Sequence, residues 1–134
     1  MLAYGEKGDV EAQLTEHGTR VVGVYAANDG TAGGAISALR AGGRIPVPPV
    51  TGHDADLAAI QRIVSGDQTM TVHKQIAEQA RTAATIAVRF ARGEQVPAPL
   101  HVDGVPSLLL PPESVTREDV AALVVRGVFD LEEI

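Results

Sequence analysis

The stretch Val24-Tyr25-Ala26-Ala27-Asn28-Asp29-Gly30-Thr31-Ala32-Gly33-Gly34-Ala35-Ile36 decides the fold, because it passes from an apolar run through a polar turn into a helix. Val21 to Ala26 reads as a strand, and Ala26 to Gly30 as the turn that ends it. Thr31 is placed to cap a helix whose small residues let backbones approach closely, with Ile36 and Leu39 toward a sheet and Gly42-Gly43 as its stop. The same order then recurs. Ile45 to Val50 is a second apolar run, of which only the last few residues are free of prolines that cannot donate to a ladder. It leads into Gly52-His53-Asp54-Ala55-Asp56 and a helix on Leu57, Ile60, Ile63 and Val64 that stops near Gly66. Thr69-Met70-Thr71-Val72 alternates as a third strand ending in His73-Lys74. A helix from Gln75 to Arg92 follows, with Ile76, Ala80, Ala83, Ala84, Ala87, Val88 and Ala91 on one stripe. Repeated strand, polar turn and helix predict an α/β fold with a Rossmann-like parallel sheet and flanking helices. Asn28, Asp54 and Lys74 then lie along the carboxyl edge, where open sheets of this kind take ligands.

The flanks read less sharply. Val10, Leu14 and His17 share one face of a short helix begun by Asp9 and stopped by Gly18. Beyond Gly93 the chain is Pro-rich, Leu108-Leu109-Leu110 reads as a short strand, and Thr116 with Asp119 opens a final helix through Val125.

Composition narrows the chemistry. At 134 residues with 45% hydrophobic content the chain suits one ordinary domain. Eleven basic against seventeen acidic residues, with no basic stripe, argue against nucleic acid as a partner. Cysteine is absent, which removes disulfides, thiolate metal sites and cysteine nucleophiles. His17, His53, His73 and His101 are scattered, so no metal site is expected. Gly30-Thr31-Ala32-Gly33-Gly34 fits neither dinucleotide nor P-loop spacing, and no cofactor is expected. Ser65, Ser107 and Ser114 lack a nucleophile elbow, and no catalytic residues are assigned. No run approaches the ~20 apolar residues of a membrane span, and Met1 to Asp9 carry neither a basic leader nor an apolar core, so no export signal is expected in these residues.

Four linked strings carry a family resemblance: the opening stretch, Gly52 to Leu57, Gln68-Thr69-Met70-Thr71-Val72-His73-Lys74, and Val105-Pro106-Ser107-Leu108-Leu109. In order and spacing they resemble the sugar-binding proteins of bacterial ABC importers, of the type I periplasmic binding protein fold, and within these the D-xylose-binding subgroup. The resemblance implies two Rossmann-like lobes that close on a monosaccharide, of which this chain covers the carboxyl-terminal portion. Residues 1–74 correspond to part of the second lobe, and 75–134 to a helix, a crossing segment and a terminal helix that complete the two lobes. It further implies a non-enzymatic solute-binding component that takes a pentose such as xylose, meets an ABC permease when part of a complete protein, and works in the periplasm or at the cell surface.

Carried over by resemblance, the sugar contacts are Asn28, Asp54 and Lys74. Their donors and acceptors suit a neutral polyol. Asp54 and Asp56 both stand where a carboxylate can cap the following helix; Asp54 is assigned to the ligand and Asp56 to the cap. His53 and His73 depart from the glutamine and tyrosine common in the subgroup. Two other readings stand beside the importer: the effector-binding domain of a lac-repressor-type regulator, which would need a basic helix-turn-helix that these residues lack, and a truncated product without independent binding. The 75–92 stripe lacks its family partner by this resemblance, so the chain is expected to form a homodimer or exchange domains through that helix, or to stay partly disordered after Lys74.

Overall fold

The computed structural model describes residues 2–3 and 7–134, with side chains from Val10 onward except that of Thr19. In chain order the elements are β1 (Leu2–Ala3), α1 (Lys7–His17), β2 (Val24–Tyr25), α2 (Asp29–Ala41), β3 (Val50–Thr51), α3 (Leu57–Ser65), β4 (Thr71–His73), α4 (Ile76–Ala91), β5 (Leu100–Val102), β6 (Val105–Ser107), β7 (Glu113–Val115) and α5 (Val120–Val125). They form two compact units, residues 1–73 with 113–134, and residues 74–112.

In the first unit, β1, β2 and β3 pair in parallel, with Val24 opposite Val50 and Tyr25 opposite Thr51. Thr51 bridges Met70 in parallel, and β4 pairs antiparallel with β7, His73 lying opposite Glu113. The first two expected strands thus lie in one parallel sheet, whereas β4 belongs to a two-stranded antiparallel sheet with β7 that meets β3 through the single Thr51–Met70 bridge. All three strands are shorter than the apolar runs that announce them. Pro49 supplies the carbonyl that accepts from Val24 N–H at 2.8 Å but has no N–H to return, so regular pairing starts only at Val50.

Two apolar clusters hold this unit. Val10, Val24, Ile36, Leu39 and Val50 form one with Leu14 and Val47 against it; Ile60, Ile63, Val115, Val120 and Leu123 form the other, with Phe129 alongside. Leu39 and Ile60 are fully buried, as the helical spacing of both predicts. Gly66 ends α3 in the left-handed conformation at φ 87°, where glycine carries no Cβ penalty.

Several local expectations are corrected. The first helix starts at Lys7 rather than Asp9. The cap of α2 is Asn28, with Thr31 as its reciprocal partner three residues on. Leu108 to Leu110 form no strand; β7 is made instead by Glu113 to Val115. In the second unit, β5 and β6 make an antiparallel hairpin about Asp103-Gly104, both at positive φ (50° and 80°), the backbone that suits the twist of a tight hairpin. No residue of α4 is buried, and Ile76 and Phe90 are 65% and 67% exposed.

Two carboxylates of the first unit are held in their charged form by hydrogen bonds. Arg126 donates to both oxygens of Glu113, at 3.0 and 2.7 Å, and these hydrogen bonds hold Glu113 below its ordinary value of 4.5. The amide and hydroxyl of Thr116 donate to Asp119 at 2.9 and 2.7 Å and hold it below 3.8. A carboxylate lowered by folding stabilises above its unfolded value and loses that contribution as pH falls through its folded value. The contribution of these two carboxylates to the urea midpoint should therefore be complete above about pH 5 and fall below it. Arg126→Gln should lower the midpoint at pH 6 and flatten the acid slope; an unchanged slope would remove Glu113 from this role.

Candidate functional site

The carboxyl ends of β2 and β3 carry the first two predicted site residues. Asn28 Oδ1 accepts from Thr31 N–H at 2.9 Å, and Thr31 Oγ1 accepts from Asn28 N–H at 3.2 Å, so this side chain starts α2. The cap uses only the oxygen. The two donors of Nδ2 lie outside it.

Asp54 lies in a turn of unusual geometry. Its φ is 106° and that of Ala55 is 56°, conformations that side-chain-bearing residues rarely adopt and that cost about 1–3 kcal/mol each. The carboxylate is half exposed, with Oδ1 3.0 Å from His53 Nδ1. That contact orients the carboxylate. The two turns are knit together: Asp29 N–H donates to His53 O at 2.9 Å. Asp56, two residues on, accepts from Ala59 N–H at 2.7 Å and caps α3, the role its position predicts. Lys74 follows the last residue of β4 and opens the second unit.

Beneath both turns is a polar cluster that sequence reasoning missed. Asp29, Gln68 and Thr71 are the buried polar residues of the described chain. Asp29 Oδ1 accepts from Gln68 Nε2 at 2.8 Å; Oδ2 accepts from Thr71 Oγ1 at 2.8 Å and from Asp56 N–H at 3.1 Å. Gln68 Nε2 also donates to Met70 O, while its Oε1 accepts from Arg62 Nε at 3.0 Å, which settles the amide orientation. Arg62 Nη2 reaches Asp29 O at 2.8 Å, bringing a positive charge beside the buried carboxylate. Gly33 and Gly52 make room: a Cβ on Gly33 would press on the Arg62 guanidinium, and one on Gly52 would collide with Asp29 Oδ1 and Gln68 Nε2.

A cleft of about 420 Å³ opens beside these turns, lined by Tyr25, Ala26, Ala27, Thr51, Gly52, His53, Met70 and Val72. Neither Asn28 nor Asp54 lines it. Among the described residues no three His, Cys, Asp or Glu side chains converge as a metal cluster, and no helix is long and apolar enough to cross a membrane.

The periplasmic binding protein domain matches residues 6–95. The chain belongs to the periplasmic binding protein family. It is 42% identical over 128 residues to the D-xylose-binding periplasmic protein of Haemophilus influenzae, covering 92% of this chain and 39% of that protein. Identity to the Escherichia coli D-xylose-binding periplasmic protein is also 42%, over 127 residues, 92% of this chain and 38% of the relative. A carbohydrate transporter solute binding protein from Chloroflexus aurantiacus, solved in complex with D-glucose, superposes with a TM-score of 0.85 at 32% identity, over 95% of this chain and 40% of that one. The chain thus spans about two fifths of the length of the curated relatives it matches. Its α/β fold and family resemblance are those read from the sequence.

In this periplasmic binding protein chain the buried cluster had little sequence signal. Asp29 reads as one more turn residue before Gly30, Gln68 as a loop residue after Gly66, and Thr71 as an alternating strand position. Each type is common in its local role.

Proposed function

We propose that this chain is part of a solute-binding component of a carbohydrate ABC importer, and that it holds a monosaccharide, a pentose such as xylose, without altering it. Residues 1–74 supply part of the second lobe, and 75–134 the helix, crossing segment and terminal helix that complete the two lobes. Asn28, Asp54 and Lys74 contact the sugar. The placement of Asn28 and Asp54 in two hydrogen-bonded turns at the carboxyl edge carries this reading. The identity to D-xylose-binding proteins supports the pentose.

The chemistry of recognition is that of hydroxyl groups. Asp54 accepts from sugar hydroxyls, Lys74 donates to hydroxyl or ring oxygens, and the Asn28 amide donates through Nδ2. None of these roles requires bond making, so the protein is no enzyme. The complete protein works in the periplasm or at the cell surface, and its partner is an ABC permease. The isolated chain holds only half the contacts, and its exposed α4 stripe takes a second copy or exchanges domains, which light scattering reads as a dimer; a strictly monomeric chain would end that part of the reading.

Calorimetry tests the function. The 134-residue chain should show no measurable heat with D-xylose, whereas a two-lobed protein in which this chain replaces the matching part of the Haemophilus influenzae relative should bind it. A folded two-lobed protein that takes neither D-xylose nor any other monosaccharide would refute the proposal.

A further inference from the structure

An aspartate does not adopt φ 106° unaided, and three consecutive amides show what holds it there. Asp54 N–H donates to Val72 O at 3.0 Å, Ala55 N–H to Thr71 Oγ1 at 3.2 Å, and Asp56 N–H to Asp29 Oδ2 at 3.1 Å. The second and third of these acceptors are side chains, and they are joined: Thr71 Oγ1 donates its own proton to Asp29 Oδ2 at 2.8 Å. A hydroxyl has one proton to give, so the buried carboxylate fixes the rotor of Thr71 and leaves its lone pairs to Ala55. Asp29 is fixed in turn by Gln68 on Oδ1 and by Arg62 on its carbonyl. Thr71 and Asp29 are 0% and 1% exposed, so water cannot stand in for either.

We propose that Asp29 and Thr71 are positioning residues of the sugar site, gripping the turn so that Asp54 stands at the open edge with its carboxylate preset for hydroxyl groups. The inference rests on the reading of Asp54 as a sugar contact. It assigns to the two buried residues a specific task beyond stability. A turn free to relax to negative φ would lower affinity by the fraction of molecules that lose the binding geometry.

Nuclear magnetic resonance on the 134-residue chain tests the grip without sugar. Asp54 should give the strong intraresidue HN–Hα cross-peak of a positive φ. Thr71→Val, which keeps the shape and removes the hydroxyl, should weaken that cross-peak to the ordinary strength of a negative φ and speed exchange of the Ala55 and Asp56 amides by about tenfold or more, while α2 stays protected. Thr71→Ser should restore both signals. If Thr71→Val loses protection in α2 as well, Asp29→Asn, of matching shape, decides by the same two signals. Either folded variant with cross-peak and protection unchanged overturns the proposal.

Affinity for D-xylose in the two-lobed protein supplies the second reading. Thr71→Val should weaken binding roughly tenfold beside the native Asp54, and less than about twofold in the Asp54→Ala background. Equal losses in both backgrounds overturn the positioning role. If the turn responds as expected but no sugar binds, the sugar reading alone fails; if Asp54→Ala lowers affinity and Thr71→Val does not, the positioning role alone fails.

Discussion

Asp54→Gly should stabilise the fold and weaken sugar binding, two effects of opposite sign from one substitution. Stability rises because glycine adopts φ 106° without a Cβ penalty, against which stands the larger backbone entropy glycine loses on folding. The net gain should be of order 0.5–1 kcal/mol in urea unfolding. Binding should fall, on the proposed contact of Asp54 with the sugar, because a charge-assisted hydrogen bond of about 1.5–3 kcal/mol is lost, a ten- to hundredfold loss of affinity in the two-lobed protein.

Asp54→Ala separates the two effects. It should lose affinity equally, yet gain no stability, since alanine is strained at the same φ. Asp56→Ala is the control on the neighbouring carboxylate. It keeps the N–H that Asp29 accepts but removes the cap on Ala59, so it should cost about 1 kcal/mol of stability and leave affinity close to that of the parent. Equal affinity losses at positions 54 and 56 would defeat the assignment of Asp54 to the sugar. A glycine variant no more stable than the alanine variant would show that the turn is not strained.

The same contrast explains what the sequence made legible. Element type and order follow from periodicity: Ile60 and Ile63 fall on the buried face of α3, and Gly66 ends that helix, because both signals are local. The helix from Gln75 to Arg92 is recovered almost to the residue as Ile76–Ala91, with Gln75 and Arg92 as its caps. Strand ends were less readable. The length of β3 depends on what prolines withhold from a neighbouring strand, and Glu113 to Val115 pairs with β4 across some forty residues. Leu108 to Leu110 shows the limit of apolarity as a strand signal, since a short run of leucines specifies neither register nor partner.

Of the candidate site, only the polar residues at the strand exits had a sequence signal. Asn28 and Asp54 stand out as polar residues at strand exits, whereas Asp29, Gln68 and Thr71 meet only after three strands and two helices have assembled. Gly52 carries the same lesson. A glycine after a strand reads as turn permissiveness, yet here its missing Cβ leaves space for a carboxylate and an amide.

The largest loss of stability is expected from Asp29→Ala. The substitution removes the acceptor of Gln68 Nε2, Thr71 Oγ1 and Asp56 N–H together, at a buried position. An unsatisfied buried polar group costs about 1–3 kcal/mol, and removing one member of a buried charged network about 3–5 kcal/mol, so the lower part of the latter range is expected once Gln68 and Thr71 relax. A domain of this size has ~5–15 kcal/mol in all, and the urea midpoint should fall by a large fraction. Gly52→Ala should also destabilise, by about 1–3 kcal/mol, because its methyl group collides with the same carboxylate oxygen and with Gln68 Nε2. The two losses should not add. Once Asp29 is truncated, the space its carboxylate occupied admits the new methyl, so Gly52→Ala should cost less in the Asp29→Ala background than in the parent. Urea unfolding of the parent, both single variants and the double variant measures this coupling directly. Additive losses would mean that Gly52 and Asp29 act through separate contacts, and a small loss from Asp29→Ala alone would mean that the buried carboxylate is not what holds the two turns together.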